Sequence, residues 1–158
     1  MKLILSLLLP LLLLTACGEK KESMMAHEPQ SFETAAGMKV GAALLILHNT
    51  ADSDDELISA TSTVSPRTEL HTMIDDNGIM RMREVKSIPV KAGEHLPLTP
   101  DGYHIMLMDL EKPLKAGSEF DLTLNFKNSS SVTVKVPVLS RAALKETLEK
   151  ATESHDHH

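Results

Sequence analysis

Tryptophan is missing from the 158 residues, and one Tyr and three Phe are the only aromatic rings besides histidine. Basic runs are missing too, and Lys plus Arg (16) are outnumbered by Asp plus Glu (22), leaving a formal charge of −6. A chain with neither stacking platforms nor a cationic stripe is poorly built for nucleic acid, which is read as no partner of it. No Gly-x-Ser-x-Gly, no Gly-x4-Gly-Lys phosphate loop and no His-Glu-x-x-His occurs, so the expectation is that the protein is not an enzyme. The acidic groups Asp54-Asp55-Glu56 and Asp75-Asp76 lie beside turn signals and read as solvated loop charge. Cysteine occurs once, at Cys17, so no disulfide can form within one chain.

The position of that cysteine is informative. Lys2 supplies a positive start, residues 3–14 an apolar run, and Leu14-Thr15-Ala16-Cys17 a lipobox followed by Gly18. The run is shorter than the ~20 residues a membrane-spanning helix needs. Residues 1–16 therefore read as a lipoprotein signal peptide, with Cys17 the lipidation site that holds the mature protein to a membrane on the oxidising side of the envelope. Loss of Lys2 with the leader takes the formal charge from −6 to −7.

Residues 17–34 read as a lipidated tether, because 18–31 is polar and charged and contains Pro29. Met24, Met25 and His27 within it offer accessory copper donors, although linker is the plainer reading. Residues 35–138 carry Val, Ile, Leu and Thr runs cut by turn signals such as Asn77-Gly78 and Pro100-Asp101-Gly102. That spacing predicts one all-β domain, an antiparallel sandwich or barrel. Strands are placed near 38–48, 56–64, 67–74, 79–86, 94–98, 103–109, 119–126 and 131–138. Residues 139–158 then change character: Ser140 can cap a short C-terminal helix, followed by a tail ending in His155, His157 and His158.

Three copies of one small pattern stand out: His71-Thr72-Met73, Met80-Arg81-Met82, and His104-Ile105-Met106 leading to Met108. Residues two apart on a strand share a face, ~6.6 Å from one another, so each copy aims two soft or borderline donors in one direction. An Asn77-Gly78 turn pairs Asp76 with Ile79, Asp75 with Met80, Met73 with Met82 and His71 with Glu84, which puts His71, Met73, Met80 and Met82 on one face. Tyr103, Ile105 and Leu107 alternate with His104, Met106 and Met108; the first set reads as core and the second as a donor row. If that row stands beside the hairpin, a four-coordinate pocket of two nitrogens and two sulfurs can form. Imidazole and thioether without thiolate select Cu(I), and they exclude a blue-copper electron carrier, which needs a Cys ligand. Methionine stripes are also ordinary core filler, but Met82 between Arg81 and Arg83 is poorly placed for that. His48 and His95 read as surface or structural histidines, and the tail His155, His157 and His158 as donors able to take Cu(II).

At these residues the chain resembles the PCu(A)C family of periplasmic copper chaperones. The family motif is a His or Met, ten residues, a Met, twenty-one residues, then His-x-Met; His71, Met82, His104 and Met106 match it without a gap. Flanking text agrees, including Gly41-Ala42-Ala43-Leu44, Glu69-Leu70-His71-Thr72-Met73 and Gly102-Tyr103-His104-Ile105-Met106-Leu107-Met108, although Ala42-Ala43 stand where relatives often carry aromatic residues. The resemblance implies a cupredoxin-like β-sandwich that binds Cu(I) through His71, Met82, His104 and Met106; Met73, Met80 and Met108 lie outside the motif and read as accessory donors or packing. It also implies a periplasmic carrier that delivers copper to a receiving protein, such as a cytochrome c oxidase subunit or another copper chaperone; the membrane anchor is a separate reading from Cys17, since many relatives have simple secretory signals. The alternative is a copper-sequestering resistance lipoprotein without a dedicated recipient. Because the two imidazoles must be unprotonated to bind, affinity is expected to weaken below pH ~6.5.

Overall fold

A computed structural model describes residues 22–143. The leader, Cys17 and the tail histidines His155, His157 and His158 lie outside the described residues. Ten strands follow in order: β1 (Met24–Phe32), β2 (Gly41–Asn49), β3 (Asp55–Ser62), β4 (Arg67–Asp76), β5 (Ile79–Glu84), β6 (Ile88–Val90), β7 (His95–Leu98), β8 (His104–Met108), β9 (Glu119–Phe126) and β10 (Val132–Leu139). Their hydrogen-bonded path runs β5-β4-β8-β2-β1-β10-β9-β3-β6 with β7 paired to β2, an unclosed cupredoxin-like arrangement. All pairs are antiparallel except β1 with β10.

Strand alternation decides what is inside. Leu45 and Leu47 of β2, Ile105 and Leu107 of β8, Leu122 and Leu124 of β9 and Val136 and Val138 of β10 all point into one core with Phe120 and Phe126. Each such side chain contributes ~1.5–3 kcal/mol by leaving water. The alternate residues of β8 and β2 face outward from that core, and among them are His104, Met106, Ala42, Ile46 and His48.

Three expectations need correction. The tether does not extend to residue 34, because Met24–Phe32 is an interior strand paired with β2 on one side and β10 on the other. Its polar text conceals Met24, Ser31 and a partly buried Ala26, which pack inward. The two residues that look least strand-like, Glu28 and Pro29, sit in a bulge where the register shifts between His27 and Gln30, one of the positions in a sheet that tolerate proline. Second, Asp55 is buried, not solvated. It accepts hydrogen bonds from the backbone N–H groups of Glu56, Asn128 and Ser129 and from Ser129 Oγ. Burial pushes its carboxyl up, but those bonds together hold it below the ordinary carboxylate range. Third, β6 was not anticipated; three residues containing Pro89 are too short to show a period. At the C-terminus the first helical turn begins at 141, with the Ala143 N–H donating to Ser140 Oγ at 3.3 Å, the cap expected there.

The β4–β5 hairpin turns at Asn77 (φ 57°) and Gly78 (φ 84°), as a two-residue turn with positive φ at both positions requires. Its register is the one read from the sequence: His71 opposite Glu84, Met73 opposite Met82, Asp75 opposite Met80 and Asp76 opposite Ile79.

Candidate metal centre

The donor row on β8 does stand beside the hairpin. β4 and β8 are antiparallel neighbours, and their register sets His71 directly opposite His104, Leu70 opposite Ile105 and Glu69 opposite Met106. Leu70 and Ile105 point into the core, so the two histidines share the outer face, with ring centroids 5.9 Å apart and planes tilted by 39°. Two imidazoles on one metal ion, each bound at ~2 Å through nitrogen, place their centroids ~4–6 Å apart, and this pair falls within that interval.

Each ring is oriented by its second nitrogen. His104 Nδ1 lies 3.1 Å from the carbonyl oxygen of Gly102 and donates its proton there. His71 Nε2 lies 2.8 Å from Glu69 Oε2, so its proton goes to the carboxylate. Glu69 is held in turn by Arg67, which reaches Asp109 Oδ2 at 3.1 Å. What remains are the lone pairs of His71 Nδ1 and His104 Nε2, both buried and neither with a hydrogen-bond partner. A buried polar atom left unpaired costs about 1–3 kcal/mol, and metal-bound histidines characteristically give their other nitrogen to a carboxylate or carbonyl. Two such atoms on facing rings fit an absent metal. His104 is 2% exposed; burial, followed by the nearby charge of His71, lowers its pKa below 6.5 against the opposing effect of its backbone hydrogen bonds. Its imidazole is neutral at neutral pH.

Among the described residues no group of three or more His, Cys, Asp or Glu is arranged to hold a metal. Neighbouring methionines offer sulfur to the pair. Met106 is two residues from His104 on the same strand and face. Met82 is diagonal to His71 across the β4–β5 ladder, a separation of ~7–8 Å between backbones that a long thioether can span. Met73 is two residues from His71 and directly opposite Met82, so the register puts it as near the pair as Met82. Met80 lies two residues beyond Met82, and Met108, opposite Arg67, lies two beyond Met106; both are outlying. The row grades from closed to open: Met106 is half-buried, while Met82 is 46% exposed on an edge strand exposed along its whole length. The sequence motif gave no sign of Glu69 and Arg67. Glu69 stands two before His71, the same-face spacing of a strand, which is the signal that points to it.

Comparisons with known proteins bear on the family and the fold. A family model described as "Putative lipoprotein LpqE-like" matches residues 24–138. A protein named as putative lipoprotein Lxx21020, from Leifsonia xyli subsp. xyli, is 40% identical over 105 residues, which is 66% of this chain and 63% of that one. The chain thus spans under two thirds of that relative's length. Among solved structures, the copper-bound PCuAC domain from PmoF2 superposes with a TM-score of 0.65 at 20% identity, over 76% of this chain and 95% of that one. The Cu(I) form of DR1885 from Deinococcus radiodurans superposes at 0.59 with 26% identity, over 75% of this chain and 81% of that one.

Proposed function

The chain belongs to the LpqE-like lipoprotein family and has the fold of PCuAC domains, and from that premise we propose that it is a periplasmic Cu(I) carrier, held to a membrane by lipid at Cys17. Copper is its cargo. The observation that carries the reading is the pair of buried, unpartnered lone pairs on His71 Nδ1 and His104 Nε2. Met82 and Met106 complete a shell of two nitrogens and two sulfurs, with Met73 able to replace Met82. All four donors are neutral, so the complex keeps the +1 charge of the ion, and soft thioethers favour Cu(I) over Cu(II).

Carriage needs tight holding and fast release together. Picomolar binding corresponds to ~16 kcal/mol, so copper leaves through an intermediate in which donor and recipient ligands are shared. The graded exposure supplies the order of events. Met82, exposed and flexible, yields its place to an incoming ligand first; Met106 follows, and the imidazoles locked by Glu69 and Gly102 let go last. The recipient is a copper-receiving protein, such as a cytochrome c oxidase subunit awaiting its copper centre or a further chaperone.

Transfer assays test this reading: Cu(I)-loaded protein is mixed with an apo acceptor, and copper is followed on both. Movement faster than spontaneous dissociation supports a carrier. Retention against every acceptor of higher affinity would instead make it a sequestering lipoprotein.

A further inference from the structure

A second histidine cluster lies on the same outer face. His48 near the end of β2 is directly opposite Met25 of β1 on one side and His95 of β7 on the other. The His48 and His95 rings stack with centroids 3.6 Å apart, and His27 of β1 stands 6.1 Å from His48. We propose that His27, His48 and His95 form a second copper site, distinct from the His71–His104 pair, that takes Cu(II) through three imidazoles. The inference does not depend on the proposed carrier function.

Position and chemistry support it. The three residues come from adjacent strands on one face, half-buried or exposed and open to solvent. Among the described residues the side chain of none of the three makes a hydrogen bond or an ion pair; their contacts are with one another. Desolvation, and then the charges of His95 and His27, lower the pKa of His48, which keeps its imidazole available as a neutral donor. His27 sits at the edge of the β1 bulge, where Glu28 takes φ 49°; bulges commonly re-aim a side chain beside a functional site. With metal–nitrogen bonds of ~2 Å, rings sharing one ion have centroids ~4–6 Å apart. His27 and His48, at 6.1 Å, lie just outside that span, and the His48 and His95 rings, stacked at 3.6 Å, have to part and turn before both can reach one ion. The triad is therefore not preformed, consistent with no three-residue group being arranged around a common point. Three imidazoles without thiolate suit Cu(II), which heads the divalent affinity order, and Met25, 47% exposed beside His48, is a soft donor at the rim. Extending the β2–β8 register by one residue from Ala43 opposite Ile105 sets His104 beside Leu44, four residues from His48, or ~13 Å along the strand.

The test is Cu(II) titration of the full-length chain carrying His155→Ala, His157→Ala and His158→Ala, read by electron paramagnetic resonance and by paramagnetic broadening of histidine ring signals. The expected result is one equivalent of Cu(II) with three nitrogen couplings, broadening His27, His48 and His95 and sparing His71 and His104. His48→Asn or His95→Asn should weaken it at least tenfold, and His104→Ala should leave it unchanged. Broadening centred on His71 and His104, or an equivalent that survives the combined His27→Asn, His48→Asn, His95→Asn substitution, would overturn the proposal. The broadening is read on a chain with the triad intact, so it stands even if a triad variant fails to fold.

Discussion

Two groups of histidines share one face of this protein and differ in nearly every physical respect. At the His71–His104 pair one nitrogen of each ring is hydrogen-bonded, the other is buried without a hydrogen-bond partner, and the two rings stand opposite each other 5.9 Å apart. At the His27–His48–His95 cluster the rings are accessible, two of them stacked and the third tilted beside them, and their side chains make no hydrogen bonds. The first arrangement has met the cost of orientation in advance, so binding there spends little on ordering. The second must rearrange to bind, which makes it weaker and more permissive. Preorganisation follows from what surrounds each ring: a carboxylate two residues away on its own strand, and a carbonyl from the turn before β8.

Removing a ligand of the preorganised pair has the largest expected effect. His104→Ala should lower Cu(I) affinity by more than the ~10–100-fold typical of losing an orienting partner, measured by competition with a Cu(I) chelator, and should abolish the rise in melting temperature on Cu(I) loading. Removing the orientation alone comes next. Glu69→Ala leaves every proposed ligand in place and should cost ~10–100-fold, making His71 behave more like the loosely held cluster. Met82→Leu should cost less, about tenfold or under, because Met73 directly opposite can take over; it should quicken release without shifting the apo melting temperature. A Met73→Leu, Met82→Leu double variant that loses no more than Met82→Leu alone would remove Met73 from the account.

Acidity sharpens the contrast further. The folded pKa of His104 lies below its ordinary 6.5, so between those two values the unfolded chain binds the extra proton and the folded chain does not. Apo stability therefore falls as pH drops below 6.5 and levels off once pH passes below the folded pKa. The same shift delays proton competition for copper. Proton competition at His104 should set in lower than free imidazole would give, as read from Cu(I) titrations at stepped pH. The smallest expected effect is that of His48→Asn on Cu(I) at the pair, where no change is predicted.

The sequence made the pair unusually legible. Asn77-Gly78 fixed the hairpin register, and the alternation of 103–108 separated core from donors, so the apposition of His71 and His104 needed only that β4 and β8 be neighbours. The strictly alternating strand Glu119–Phe126 matches its expected bounds to the residue, and 103–109 and 131–138 match to within one residue at each end. Less was visible where local text and tertiary setting disagree. β1 looked like linker because Glu28 and Pro29 interrupt it, and only pairing on both sides makes it a strand. Asp55 looked solvated because the backbone donors that bury it come from a turn more than seventy residues away. The His27–His48–His95 cluster was hidden for the same reason. Its members are separated in sequence, and one of them sat in what read as a tether.

The central claim is that copper is held as Cu(I) between the unpartnered nitrogens of His71 and His104 with thioether sulfur completing the shell. X-ray absorption on Cu(I)-loaded wild type beside His104→Ala tests it most directly. Two nitrogen and two sulfur neighbours in the wild type, with one nitrogen lost in the variant, is the predicted result. A shell of nitrogen and oxygen alone, or a spectrum unchanged by the substitution, would contradict it.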